Sequence, residues 1–334
     1  MKVYICYQIN EGAFGGANQF LKSLRDYLLT LGLYTQSIDD ADILVFNSMI
    51  PYIEIFNLKH KFKDKIFVHR VDGPCKLYNN MSDKRDDMVY RLNNLVADAT
   101  VFQSNYSRDL SVKMGCPRKK YETTIINACN PSVFYPKSKP ENRNERIKLI
   151  ATSFSDNWNK GFKDYQWLDE NLDFERYELR FVGRSPCKFR HIQHIDPQDS
   201  QSLANLLRQS DIYITASRFD PCSNSLIEAL TCGLPVIALR SGGHPEIVKA
   251  GGVLYDNIEE VPSLLERIER QYDTYHTAIQ VESMEEVGKK YVEFFEMLIS
   301  EKKAGRLIPQ RLNAFTIAYI GFEMLFDKLT TKLL

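Results

Sequence analysis

Charge imbalance, paired cysteines and long apolar runs are all missing from this chain, and each absence excludes something. The 43 Lys and Arg balance the 43 Asp and Glu, so the formal net charge is zero. No electrostatic footprint for nucleic acid results. Seven cysteines are scattered along the sequence, odd in number and without a C-x-x-C pair. That pattern excludes a disulfide frame or zinc site as an organising device and points to a reducing compartment. Residues 1–20 carry one lysine and no unbroken apolar core, so no signal peptide is expected. No stretch reaches about 18 consecutive apolar residues, so no spanning helix is expected and a cytoplasmic location follows. Internal repeats and low-complexity tracts are absent too.

What remains is the composition of a soluble globular enzyme, with 44% apolar and 26% charged residues over 334 positions. That length suggests two domains. The most informative stretch runs from Asp211 to Val248. Ile212–Thr215 reads as a strand, Arg218–Asn224 as a polar turn, and Ser225–Leu230 as a helix stopped by Cys232-Gly233. Pro235–Leu239 is the next strand, Ser241-Gly242-Gly243 a turn, and His244–Lys249 a helix. Strand, loop, helix, strand, turn, helix is half of a parallel α/β domain, whose ligands sit beyond the carboxyl ends of the strands. The backbone amides of Ser223, Asn224, Ser225 and Leu226, at a helix start, suit a phosphate. Glu228, one turn in, is placed to accept hydrogen bonds from a ribose, and Asp220 on the preceding loop to meet a sugar.

Asp220, seven residues, then Glu228, followed by Thr231–Val236 and Gly242-Gly243-His244-Pro245-Glu246, resembles a known donor-site signature. It is that of the retaining glycosyltransferases of GT-B fold (glycosyltransferase group 1, family 4 type). The family's first acid is usually Glu; Asp220 is one methylene shorter. The resemblance implies an α/β fold of two Rossmann-like domains facing across a cleft, with C-terminal helices. It implies transfer of a sugar from a nucleotide-sugar to a carbohydrate or lipid-linked acceptor, with retention, without metal and with no cofactor beyond the donor itself.

Val3–Ile9 is a strand, Gly12–Gly16 a loop, and Ala17–Leu31 a helix with leucines at helical spacing. Its glycine spacing is neither the dinucleotide fingerprint nor a Walker loop. In the resembling family such a loop brings Gly15 and Gly16 toward the donor phosphates or the acceptor. Tyr34–Ser37 and Ile43–Phe46 read as strands, with Asp39-Asp40 between them where a dehydrogenase would hold ribose. Lys65–Val68 runs into His69-Arg70-Val71-Asp72-Gly73-Pro74, a charged cluster at a strand end. The family places a His or an acid here against the sugar, and His69 and Asp72 both qualify. Asp83–Leu95 reads as a helix, Ala99–Gln103 as a strand, Arg108–Met114 as a helix and Ile125-Ile126 as the start of a strand. Residues 137–146, charged and patternless, read as a linker.

Strands are expected at Ile147–Ala151 and Tyr177–Val182, a strand or loop at His191–Ile195, and a helix over Gln198–Gln209. The family's loop after the first of these supplies a lysine before a glycine for the diphosphate, and Lys160-Gly161 fits. The arginine the family carries five or six residues earlier is replaced by Phe154 and Ser155. Arg184, beside Gly183, and Arg218 are the candidate substitutes. The expected domains are 1–140 on the acceptor side, 147–305 on the nucleotide-sugar side, and a C-terminal amphipathic helix over 306–334. That helix fits packing on the first domain, or peripheral contact with the inner face of a membrane. Three rivals stand beside this reading: a nicotinamide-dependent oxidoreductase, a nucleotide-sugar epimerase, and a non-catalytic sugar-nucleotide-binding protein.

Overall fold

The computed structural model describes residues 1–10, 16–48, 52–79, 81–136, 146–313 and 315–322. The first half alternates β1 (Val3–Cys6), α1 (Gly16–Thr30), β2 (Ile43–Asn47), α2 (Tyr52–Lys61), β3 (Ile66–Val71), α3 (Cys75–Tyr78), α4 (Arg85–Val96), β4 (Ala99–Phe102), α5 (Asn105–Lys113) and β5 (Glu122–Thr124). The five strands pair in parallel in sequence order, and Tyr34 adds a single bridge to the free side of β1. The second half holds β6 (Ile147–Ser153), α6 (Phe162–Asn171), β7 (Tyr177–Gly183), β8 (Gln193–Ile195), α7 (Ser200–Arg208), β9 (Ile212–Thr215), α8 (Asn224–Thr231), β10 (Val236–Leu239), α9 (His244–Val248) and β11 (Gly252–Tyr255). Three helices close the chain: α10 (Val261–Arg270), α11 (Tyr272–Thr277) and α12 (Met284–Lys303). The second sheet has the order β11-β10-β9-β6-β7-β8, all parallel.

Apolar side chains cover both faces of each sheet, as parallel sheets require. In β6, Leu149 and Ala151 join one core with Phe162, Leu168 and Leu265. Ile150, between them, joins another with Leu207, Leu226 and Val236. The first sheet packs Val3, Ile5 and Val68 against α1 on one face, and Leu44, Phe46 and Phe67 against α2 and α4 on the other.

Several elements depart from the sequence reading. The expected strand at Tyr34–Ser37 shrinks to one bridge, because the Ser37 amide turns back onto Thr35 Oγ1 at 3.1 Å. β3 runs on to Val71, so His69 and Arg70 lie inside a fully buried strand and not in a loop beyond it. α2 and α6 are helices that the sequence pattern does not announce. The largest difference is α12, expected in the second domain. Its Val287, Tyr291, Phe295 and Leu298 enter the core of Val3, Phe20 and Leu24 under the first sheet. At Gly288 an added Cβ would stand 2.3 Å from the Tyr27 ring, so the two helices meet closely. Periodicity marks such a face as buried but not the sheet that buries it. Farther on, residues 315–322 are helical, and Ile320 lies with Leu44, Phe46 and Leu92 in the first half's outer core. Among the described residues no helix is long and apolar enough to cross a membrane.

Candidate active site in the cleft between the sheets

Strand order in the second sheet reverses between β9 and β6, and the crevice beyond their carboxyl ends is where open α/β sheets bind ligands. A cavity of about 390 Å³ lies there. Its wall includes Thr152 and Ser153 from the end of β6, Gly183 from β7 and Thr215 from β9. Gly16 and Asp72 close it from the first half. A second cavity of about 260 Å³ adjoins it through Gln19, Asn224 and Glu228.

Lys160, Asp220 and Glu228 line this cavity together. Lys160 ends a short 3-10 turn whose next residue, Gly161, has φ 90°. A Cβ at Gly161 would lie 2.3 Å from the Ala216 carbonyl oxygen, so only glycine brings the lysine this close to β9. Lys160 Nζ donates to Asp220 Oδ2 at 3.0 Å and to Ser217 Oγ at 3.4 Å, and stands over the Tyr78 ring. Burial opposes the lysine's charge, but Asp220, with Tyr78 and Tyr213 beside it, holds the ammonium above its usual range. Burial likewise works against the Asp220 carboxylate, and Lys160 and His244 bring its pKa below the usual value. The loop carrying Asp220 is strained beside it: Phe219 has φ 58° and is held by its amide bond to Ser241 Oγ.

Glu228 behaves oppositely. Burial alone pushes its carboxyl up to about 8. At the start of α8, Ser223 makes no side-chain cap, and its Oγ lies 3.2 Å from Ser225 Oγ. Ser223, Asn224 and Ser225 line the cavity; the Leu226 side chain is core, leaving only its amide for a ligand. A helix start without its own cap suits an anion.

Asp72 is anchored from behind. Arg70, fully buried, donates through Nη1 to Asp72 Oδ1 (3.0 Å) and Asn47 Oδ1 (2.6 Å), and through Nη2 to Asn127 Oδ1 (2.7 Å). Asn127 Nδ2 in turn donates to Asn224 Oδ1 at 2.9 Å, joining the two halves. Burial raises the Asp72 pKa despite the opposing pull of Arg70 and Asn47. His69 is elsewhere. It is fully buried, stacked on Phe46 with ring centroids 4.3 Å apart, and its Nδ1 lies 3.2 Å from Asn93 Nδ2. Burial, with a smaller push from Lys119, drops its pKa to about 3. Of the two alternatives, Asp72 reaches the cavity and His69 does not, because successive residues of a strand point to opposite faces.

Neither substitute arginine lines the cavity. Arg184 is exposed and stacks on Phe154, and Arg218 pairs with Asp164 at 3.1 Å. Phe154 and Ser155 do line it, so Lys160 is its one cation among the described residues, beside Asp72, Asp220 and Glu228. Gly15 lies outside the described residues. Gly16 touches the other half directly: an added Cβ would stand 2.0 Å from Asn224 Nδ2. The sequence reading gives Asn47, Gln103 and Asn127 no place in the site; Asn127 Nδ2 also donates to Gln103 Oε1 at 3.1 Å, and the signal they offered was amides at or just past the ends of parallel strands. Among the described residues no cluster of three or more His, Cys, Asp or Glu is placed to hold a metal ion.

Residues 167–273 match the family of glycosyl transferases group 1. A probable sucrose-phosphate synthase of Thermosipho melanesiensis is 26% identical over 196 residues, half of this chain and 45% of that protein. The match therefore spans less than half of that relative. The sucrose-phosphate synthase of Thermosynechococcus elongatus superposes with TM-score 0.61 over 99% of this chain and all of that one, at 13% identity. The Anabaena protein HepE, solved in complex with UDP-glucose, gives 0.63 over 91% of this chain and 99% of its own, also at 13% identity. With its two parallel sheets and the cleft between them, the chain has the GT-B fold, and its second half carries the match to the glycosyl transferases group 1.

Proposed function

We propose that this protein transfers a sugar from a nucleotide-sugar donor to a carbohydrate or lipid-linked acceptor, with retention at the anomeric carbon. The observation that carries the reading is the meeting of Lys160, Asp220 and Glu228 with Asp72 around one cavity at the switch point of the second sheet. That HepE was solved with UDP-glucose supports a nucleotide-sugar as donor. Glu228 holds the ribose hydroxyls. The amides that begin α8 receive the diphosphate, and Lys160 neutralises charge as the nucleoside diphosphate leaves. Asp220 and Asp72 accept hydrogen bonds from sugar hydroxyls on opposite sides of the cavity. The leaving phosphate takes the acceptor's proton, so the protein supplies no nucleophile. The reaction proceeds on this reading without a metal or a cofactor other than the donor.

A second reading rests on Phe154 and Ser155, which line the cavity where the resembling family carries a second cation. It is a protein that binds sugar nucleotides without turning them over. A thermal-shift series with UDP, GDP, ADP and their sugar conjugates, with and without magnesium, tests binding. A ligand at 100 times its Kd adds about 2.7 kcal/mol of stability. Release of free nucleoside diphosphate on adding acceptor then separates transfer from binding. A shift with none of these nucleotides refutes both readings.

A further inference from the structure

We infer that Glu246 is a positioning residue that latches the two domains together and so sets the spacing between the Asp72 and Asp220 loops. The inference rests on the transferase reading and goes beyond it, for Glu246 does not line the cavity. Glu246 sits on α9 of the second domain, yet both its carboxylate oxygens are used by the first. Oε2 accepts from the Asn105 amide at 2.9 Å and Oε1 from the Tyr106 amide at 2.7 Å. These are the first two residues of α5. The partial positive charge of a helix start and two charge-assisted hydrogen bonds act on the same carboxylate.

Both ends of this contact lead to the cleft. On the α5 side, Ser107 Oγ donates to the Asp72 carbonyl at 3.2 Å. Ser104 Oγ accepts from the Ser107 amide and donates across the domains to the Pro221 carbonyl at 2.6 Å. On the α9 side, the Gly243 amide donates to the Asp220 carbonyl at 2.9 Å. Gly242, at φ 61°, packs so tightly there that a Cβ would lie 2.2 Å from that carbonyl oxygen. Asp72, α5, Glu246, the glycine turn and Asp220 thus form one continuous chain of contacts. The bonds from Glu246 exist only with the domains closed, so opening breaks them. A ligand held between Asp72 and Asp220 and the Glu246 contact favour the same closed state and strengthen each other.

Glu246→Gln keeps the size of the side chain but replaces one acceptor with an NH₂ that faces an amide N–H. Four measurements on the full chain test it. Hydrogen exchange at the Asn105 and Tyr106 amides should accelerate at least about tenfold, the loss of roughly 1.4 kcal/mol of protection. Small-angle scattering should show a larger radius of gyration. Turnover should fall about tenfold to a hundredfold, since misplacing reacting groups by about 1 Å costs that much. Nucleotide affinity should stay within about twofold, because its contacts lie on the second domain. Unchanged exchange and scattering overturn the latch. Faster exchange with unchanged turnover overturns the positioning role. Absence of turnover in the wild type with every donor refutes the transferase reading instead, and exchange and scattering still decide the latch.

Discussion

Protonation of Glu228 should control nucleotide affinity across the neutral range. Its carboxyl, pushed to about 8 by burial, is mostly protonated at pH 7 in the free protein. With that value, only about one molecule in ten carries the charge. A carboxylate accepting hydrogen bonds from two ribose hydroxyls favours its ionised form, so binding lowers the pKa and releases a proton. Affinity should therefore rise about tenfold, roughly 1.4 kcal/mol, for each pH unit between about 6.5 and 8, and then level off. Titration calorimetry of the bound nucleoside diphosphate from pH 6.5 to 9 reads the slope. Repeating it in two buffers of different ionisation enthalpy counts the released proton. The nucleotide's own phosphate ionises near pH 6, so Glu228→Gln is the control, and its profile should keep only that shallow phosphate contribution. A wild-type profile as shallow as that of the variant refutes the reasoning. The same shift sets a stability trend. Below about pH 4.3 both folded and unfolded chains hold the proton; between there and pH 8 only the folded chain keeps it. This group's contribution therefore falls as pH rises through that window.

Lys160→Ala removes the one cation that lines the cavity among the described residues and should lower kcat about a hundredfold or more, with a smaller change in nucleotide Kd, read by steady-state and binding measurements. Lys59→Met strands Asp98, which the Lys59 ammonium meets at 2.7 Å in a fully buried pair. It should cost about 3–5 kcal/mol in urea unfolding while sparing nucleotide contacts. Gly161→Ala forces a side chain to φ 90° and against Ala216, and should cost more than about 1 kcal/mol of stability and reduce turnover by displacing Lys160.

The second half of the chain was largely legible in its residues. Ile212–Ile214 and Val236–Leu239 are apolar runs, and both lie in buried strands. The Asp220-to-Glu228 spacing placed both acids on one cavity wall, since a loop and one helical turn separate them. The cluster His69–Asp72 was legible as polar but not as oriented. An extension of β3 by three residues decided that His69 joins the core while Asp72 reaches the cleft.

By itself the sequence determined the parallel α/β class, the glycine turns and the acids at strand ends, because these follow from period, chain reversal and residue chemistry over a few neighbouring positions. Tertiary structure alone decided what depends on long-range packing. It brought α12 back under the first sheet, through an apolar face that would fit either domain. It joined Arg70 to Asn224 through Asn127, across 154 positions of sequence, as the numbering shows (224 − 70). It turned Glu246 from part of a donor-site motif into the cap of a helix in the other domain. Partners so far apart in sequence are set by how two sheets meet, and local pattern carries no record of that meeting.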